Sequence, residues 1–283
     1  MHSERIKKEI NQLIASIEGV VSVYFKNTAD KYIFKYNENE LFNAASLMKI
    51  IVGLELLLRI EKGEIAEDSN IEIKNSFKSK SNKSQFKLLV ECDSEKELYD
   101  RIGTEVCVIE LLELMITKSS NLATNNLFAL IDNGNSISQL LTSLKMRNTQ
   151  IVRGVEDQKA FDAGIINYTT AEDVFKLFEF INEGVSTGNK YILTLNEILK
   201  RQEHNSIIPQ LLPVRLRIAH KTGTIKSIIH DAGIISSDDG INYILVILSK
   251  NLVDVKKAIP VFTKISALFY KFVIENRVNH ILK

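Results

Sequence analysis

The sequence has no tryptophan, three prolines and two cysteines. It also lacks an apolar run long enough to cross a membrane: the richest segment, Met48 to Ile60, is broken by Lys49, Glu55 and Arg59, so no membrane span is expected. Charge of one sign is missing too. With 36 basic and 35 acidic side chains the net charge is +1, which leaves no electrostatic case for nucleic acid or an anionic membrane surface. Cys92 and Cys107 stand in neither a Cys-x-x-Cys nor a zinc spacing, and free thiols are the expectation. There is no internal repeat, no Gly-x-Ser-x-Gly, no His-Glu-x-x-His and no glycine-rich phosphate loop. Metal and nucleotide chemistry are therefore disfavoured, and no cofactor is expected. Near the N-terminus Arg5, Lys7 and Lys8 are followed by residues of mixed polarity rather than the apolar core of a signal peptide. The chain as given is expected to be cytosolic or the trimmed form of an exported protein.

What is present is an ordinary globular composition: 283 residues, 45% hydrophobic and 25% charged, enough for one large or two closely associated domains with a sizeable core. Ile6, Ile10, Leu13, Ile14 and Ile17 recur at helical period over residues 3–18. Val20 to Phe25 and Tyr32 to Tyr36 are β-branched and aromatic runs around a polar Lys26–Lys31 turn, which predicts a hairpin. A helix follows from Ser46 towards Gly63, then a polar stretch, 64–103, with little assignable pattern. Helical periods return at 106–115, after Asn121 and over 136–146, and Asp132-Asn133-Gly134-Asn135 is the expected stop between the last two. Thr169-Thr170-Ala171-Glu172 reads as a capping box for a helix ending near Gly184, with another helix over 190–201. After Pro209 and Pro213 the pattern changes to strands at 215–219, 228–236 and 241–249, and a long helix closes the chain at 255–281. The expected fold is α/β of the α+β kind: an antiparallel sheet of about five strands, flanked by N- and C-terminal helices, with a large all-helical insertion. The expected division is residues 1–43 and 214–283 for the sheet domain and 44–213 for the helical domain, with a site at their interface.

Ser46-Leu47-Met48-Lys49 opens the first interior helix. Residues three apart share a helix face, so Ser46 Oγ and Lys49 Nζ are expected to meet beside the free N–H groups of a helix start. Ser-x-x-Lys alone carries little information. Ser84-Gln85-Phe86-Lys87 matches it too, in a polar stretch with no helix behind it. Two further motifs supply the context, Ser119-Ser120-Asn121 and Lys221-Thr222-Gly223-Thr224, each at an edge between elements. The physical roles follow from the residue types. A serine hydroxyl attacks only when a base takes its proton, and Lys49 can do so if burial and a nearby charge, such as Lys221, lower its proton affinity. Ser119 is placed to pass a proton to a leaving nitrogen, and the Asn121 amide can hold Lys49 and a substrate carbonyl.

The three motifs in this order resemble the penicillin-recognising serine hydrolases, closest to the class A β-lactamase type, over nearly the whole chain. The resemblance implies hydrolysis of penicillin- or cephalosporin-type β-lactams through an acyl-enzyme on Ser46. The oxyanion would be held by the N–H groups of Ser46 and Thr224, and the substrate carboxylate by Lys221, Thr222 and Thr224 beside Gly223. It implies a small-molecule β-lactam or peptidoglycan-like substrate and a monomer without cofactor or metal. Alternatives of the same ancestry are a D-alanyl-D-alanine peptidase or esterase with slow deacylation, and a penicillin-binding sensor without turnover.

The water-activating glutamate of such enzymes precedes a Thr-Thr-x cap. Arg153-Gly154-Val155-Glu156-Asp157 occupies that place, with the glutamate one residue late and no following proline. Glu156 is the expected deacylation base, with Asp157 as base or a merely structural acid as the alternatives. Arg153 is expected to pair with an acid across the loop base, where Asn167 stands in the usual place of an aspartate. The middle residue of Ser119-Ser120-Asn121 is likewise a serine where aspartate is common, so a buried carboxylate is lost. His220 is expected as a packed or strand-edge residue, and His230-Asp231 either as a carboxylate aid or as strand-end residues.

Overall fold

The computed structural model describes residues 2–131 and 136–281. The chain begins with α1 (His2–Ala15) and the hairpin β1 (Val20–Asn27) and β2 (Ile33–Tyr36), paired Val23 to Tyr36. Next come β3 (Phe42–Asn43), a 3-10 turn (Ala45–Leu47) and α2 (Met48–Glu61). The polar stretch that resists reading from sequence folds as short strands, β4 (Asn70–Glu72), β5 (Phe77–Lys78), β6 (Gln85–Phe86) and β7 (Glu105–Cys107), with 3-10 turns between β6 and β7. The helices α3 (Val108–Thr117), α4 (Asn121–Ile131), α5 (Ser136–Ser143) and α6 (Gln158–Asp162) follow. Then come β8 (Tyr168–Thr169), α7 (Ala171–Thr187), α8 (Lys190–Lys200), β9 (Arg217–Ile225), β10 (Ile228–Ser236), β11 (Asn242–Lys250) and α9 (Val255–Ile281).

Five strands form one antiparallel sheet in the order β2-β1-β11-β10-β9, so both ends of the chain build it. Registers such as Val23 to Ile247 and Asp231 to Ile247 place β11 at its centre. That is why Tyr243 to Leu248 reads as an unbroken apolar run: Tyr243, Leu245 and Ile247 face α1 and α9, whereas Ile244, Val246 and Leu248 face the interior helices. Phe25 stacks on Phe269 and Tyr24 on Phe175, each at 4.1 Å between ring centres, one pair on each face. Fully buried side chains of this size contribute about 1.5–3 kcal/mol each.

Several boundaries differ from the periodicity. The cap of α7 is Thr170, whose side chain accepts from Asp173 N, one residue later than the Thr169-to-Glu172 box. That helix runs past Gly184 and stops at Gly188, whose φ of 74° suits glycine. β9 begins two residues late but continues through Lys221-Thr222-Gly223-Thr224, because pairing with β10 carries the backbone on. Asp132 to Asn135 lie outside the described residues. Cys92 and Cys107 are both free thiols.

Candidate active site

α2 is buried almost all round, including Lys49, as expected of a helix that is apolar on every face. Its preceding turn carries Ser46 and is 3-10 rather than α-helical, with Ala45 at a left-handed φ of 44°. Edge strand β9 lies across from it. At Gly223 a Cβ would sit 3.2 Å from Ser46 N and from Ala45 Cβ, so the absent side chain lets this strand lie against the serine. Ser46, Ser119, Asn121, Thr222 and Thr224 line one cleft of about 360 Å³, together with Cys92, Ser94, His204, Ser206, Ile207 and Ile229.

Beneath the cleft Lys49 and Lys221 are both 0% exposed. Lys49 Nζ donates to Ser119 O at 2.6 Å and Asn121 Oδ1 at 2.8 Å and lies 3.2 Å from Ser119 Oγ. Among the described residues none of its hydrogen bonds reaches Ser46 Oγ, which corrects the expectation from i,i+3 spacing. The reason is local: Ser46 precedes the α-helix in a tighter turn, and the amine is drawn to the loop joining α3 and α4. Left-handed Ser119, φ 62°, turns its carbonyl and its hydroxyl towards the same amine. Lys221 Nζ is 3.1 Å from that hydroxyl.

Burial brings the Lys49 pKa down to about 7, against the opposing pull of Asp93 and Glu156. Lys221 is also pushed well below its ordinary range, by burial first and then by Lys49, with Asp231 opposing. The repulsion between the two amines is mutual, so each disfavours the charged form of the other, as expected. With two N–H groups given to Ser119 O and Asn121 Oδ1, a neutral Lys49 keeps a lone pair for a proton.

Glu156, at a left-handed φ of 58°, is brought to the same network, its Oε1 accepting from Asn121 Nδ2 at 2.5 Å. Burial raises its pKa, the Asn121 hydrogen bond and Lys49 lower it, and Asp93 raises it. Ala45, Ser119 and Glu156 thus hold left-handed backbones around one site, a strain of about 1–3 kcal/mol apiece. Asn125, one turn after Asn121 on α4, pins the loop: its Oδ1 accepts from Val155 N at 2.7 Å and its Nδ2 donates to Val155 O at 3.0 Å. Gly154 is required there, because a Cβ would fall 2.3 Å from Asn125 Oδ1. Helical spacing from Asn121 is a signal that could have found Asn125.

Asp157 points elsewhere. It is buried, caps α6 through Ala160 N and accepts from Ser79 Oγ (2.8 Å) and Lys80 N (2.7 Å). Arg153 forms no ion pair with an acid among the described residues; its Nε donates to Ile165 O and its guanidinium lies over the Phe161 ring. Asn167 closes the loop base by accepting from Val152 N and Arg153 N and donating to Arg153 O. An amide does this because the partners are backbone donors and an acceptor.

His220 is packed as expected, its Nδ1 against Asp231 Oδ1 (2.8 Å) and its Nε2 against Asn205 Oδ1 (3.0 Å). His230 is no carboxylate aid: its Nε2–H donates to Asn43 O, its Nδ1 accepts from Ser249 N, and burial lowers its pKa to about 4. Asp231, fully buried, also accepts from Ile208 N. Among the described residues no three His, Cys, Asp or Glu side chains gather as a metal site.

Residues 5–273 match the beta-lactamase enzyme family. β-Lactamase VEB-1 of Pseudomonas aeruginosa is 23% identical over 248 residues, 84% of this chain and 80% of that protein. Among solved structures, TLA-1 extended-spectrum β-lactamase superposes with a TM-score of 0.82 at 18% identity, covering 97% of this chain and 100% of that one. PBP-A superposes with a TM-score of 0.80 at 22% identity, covering 94% and 95%. These structural likenesses are likenesses of fold.

Proposed function

The chain belongs to the beta-lactamase enzyme family, and from that premise we propose that it is a class A-type serine β-lactamase opening penicillin- or cephalosporin-type rings. Ser46 Oγ attacks the ring carbonyl and its proton passes to neutral Lys49. The transfer requires the two to close up in the substrate complex, since in the free protein the amine bonds Ser119 and Asn121 instead. The oxyanion develops between Ser46 N and Thr224 N, and such donors are typically worth about 3–4 kcal/mol of barrier each. As the C–N bond breaks, Ser119 gives its proton to the ring nitrogen and recovers one from Lys49, with which it is in contact. Lys221, Thr222 and Thr224 receive the substrate carboxylate. In the second half Glu156 takes a proton from water as the water oxygen bonds to the ester carbonyl. The bond from that carbonyl to Ser46 Oγ then breaks, and the proton held by Glu156 passes on to Ser46 Oγ, restoring the hydroxyl and the carboxylate base.

One observation carries the choice of rapid hydrolysis: Glu156 is bonded to the same Asn121 amide that holds Lys49. A carboxylate aimed at solvent would have favoured the slowly deacylating peptidase or esterase, which the similar PBP-A fold alone leaves equally open. The test is hydrolysis of a chromogenic cephalosporin with intact-protein mass spectrometry during turnover. Rapid hydrolysis without a trapped adduct is expected. A persistent adduct on Ser46 points to the peptidase-like or sensor reading, and neither product nor adduct removes the hydrolase reading.

A further inference from the structure

We propose that Asp93 is a positioning residue of this machinery, holding the Ser119–Asn121 turn in place with a carboxylate delivered from outside the motif. This rests on the hydrolase reading of Ser46, Lys49 and Ser119. Asp93 is only 4% exposed. Its Oδ2 accepts from Asn121 N at 2.9 Å, Leu122 N at 2.8 Å, Tyr99 Oη at 3.2 Å and Ser120 Oγ at 3.4 Å, and its Oδ1 accepts from Glu95 N at 3.1 Å. The first N–H groups of α4 thus end on a side chain 28 residues upstream of Asn121.

The placement matters because of what those N–H groups belong to. Asn121 is the residue whose side chain holds both Lys49 and Glu156, and left-handed Ser119 stands two residues before it. Fixing Asn121 N and Leu122 N fixes where the Ser119 hydroxyl and the Asn121 amide point. The acid that Ser120 does not supply within the motif is therefore present in space, against the Ser120 hydroxyl. Its charge reaches the reacting groups as well: it favours the protonated forms of Lys49 and Glu156 and, with burial, pushes the Tyr99 hydroxyl up. The titratable or charged groups facing this cluster are Tyr99, Cys92 and Glu95 from its own segment, Lys118, which pairs with Glu95, from the loop before Ser119, Lys49 from α2, Glu156 from its loop and Lys221 from β9.

The test compares wild type, Asp93→Asn, and the double variant Asp93→Ser with Ser120→Asp, which moves the acid into the motif. Readouts are kcat/KM against pH on a chromogenic cephalosporin, thermal melting, and the titration of Lys49 followed by carbon-13 NMR. Asp93→Asn is expected to lose about ten- to a hundredfold in kcat/KM through misplacement. Its acid limb and the Lys49 titration move to lower pH, because a charge that favours protonation is gone. The double variant is expected to regain most of the rate and to bring both titrations back. A D93N protein that loses activity only in proportion to its folded fraction, with limb and titration unmoved, overturns the proposal, as does a folded double variant no better than D93N. If the double variant does not fold, D93N alone decides by the same two titrations. The NMR titration needs no turnover, so an inert wild type whose Lys49 titration still moves in D93N defeats the hydrolase reading while supporting the Asp93 coupling.

Discussion

Lys49 and Lys221 share one hydroxyl. Ser119 Oγ lies 3.2 Å from the first amine and 3.1 Å from the second, and both amines are shut off from solvent. Two ammonium groups cannot both stay charged at such range in a dry site without strong mutual repulsion. The pair is therefore built to hold a neutral amine near neutral pH, the state a serine nucleophile needs from its base.

The acid limb of kcat/KM is expected near pH 7, the value to which burial brings Lys49. Lys49→Arg, which cannot lose its proton at such a pH, is expected to lower kcat/KM by at least about a hundredfold and to leave no adduct in the mass spectrum within the wild-type acylation time. A variant that acylates at the wild-type rate removes Lys49 as the base.

The same shift predicts how stability follows pH. The pKa of Lys49 falls from 10.5 in the unfolded chain to about 7 in the folded one. Between those values the unfolded chain binds a proton that the folded chain does not, so stability rises with pH across that window and the burial penalty is fully present below it. Lys221 acts with the same sign. Denaturant titrations from pH 6 to 10 are expected to show this slope in wild type and a shallower one in Lys49→Met; equal slopes would contradict it.

Glu156→Gln keeps an oxygen for Asn121 Nδ2 but cannot take a proton from water. Acylation is expected to proceed while the Ser46 adduct accumulates, and unchanged steady-state turnover would take Glu156 out of the role. Asp157→Ala serves as the contrast. Losing the α6 cap and the links to Ser79 and Lys80 is expected to cost about 1–2 kcal/mol, a few degrees in Tm, with no adduct build-up.

Gly223→Ala places a methyl 3.2 Å from Ser46 N and Ala45 Cβ. The strand must back away by a few tenths of an ångström, and a drop in kcat/KM of about tenfold or more is expected, with Tm changed little. Wild-type kinetics in this variant would show that β9 does not set the geometry around Ser46.

The sheet was readable because its signals are local. The β-branched and aromatic run Val20 to Phe25, the apolar run of the central strand and the polar turn at Lys26 to Lys31 act over neighbouring residues. Polar segment 64–103 was not, since β4, β5 and β6 are two or three residues long and owe their shape to contacts such as Asn126 with the Lys74 backbone. Asp93 carries no local mark of its place at α4, whereas Asn125 could have been found from Asn121 by helical spacing.

The order of the three short motifs, the helix and strand pattern and the near-zero net charge are properties of the chain read in line, and they sufficed for the fold and the family of chemistry. Where each proton sits is another matter. Lys49 turns to Ser119 across 70 residues and Lys221 meets the same hydroxyl across 102, so proton affinity and aim are set by groups that only folding brings together. Hydrogen bonds and desolvation act through space over a few ångströms, and no spacing along the chain encodes them.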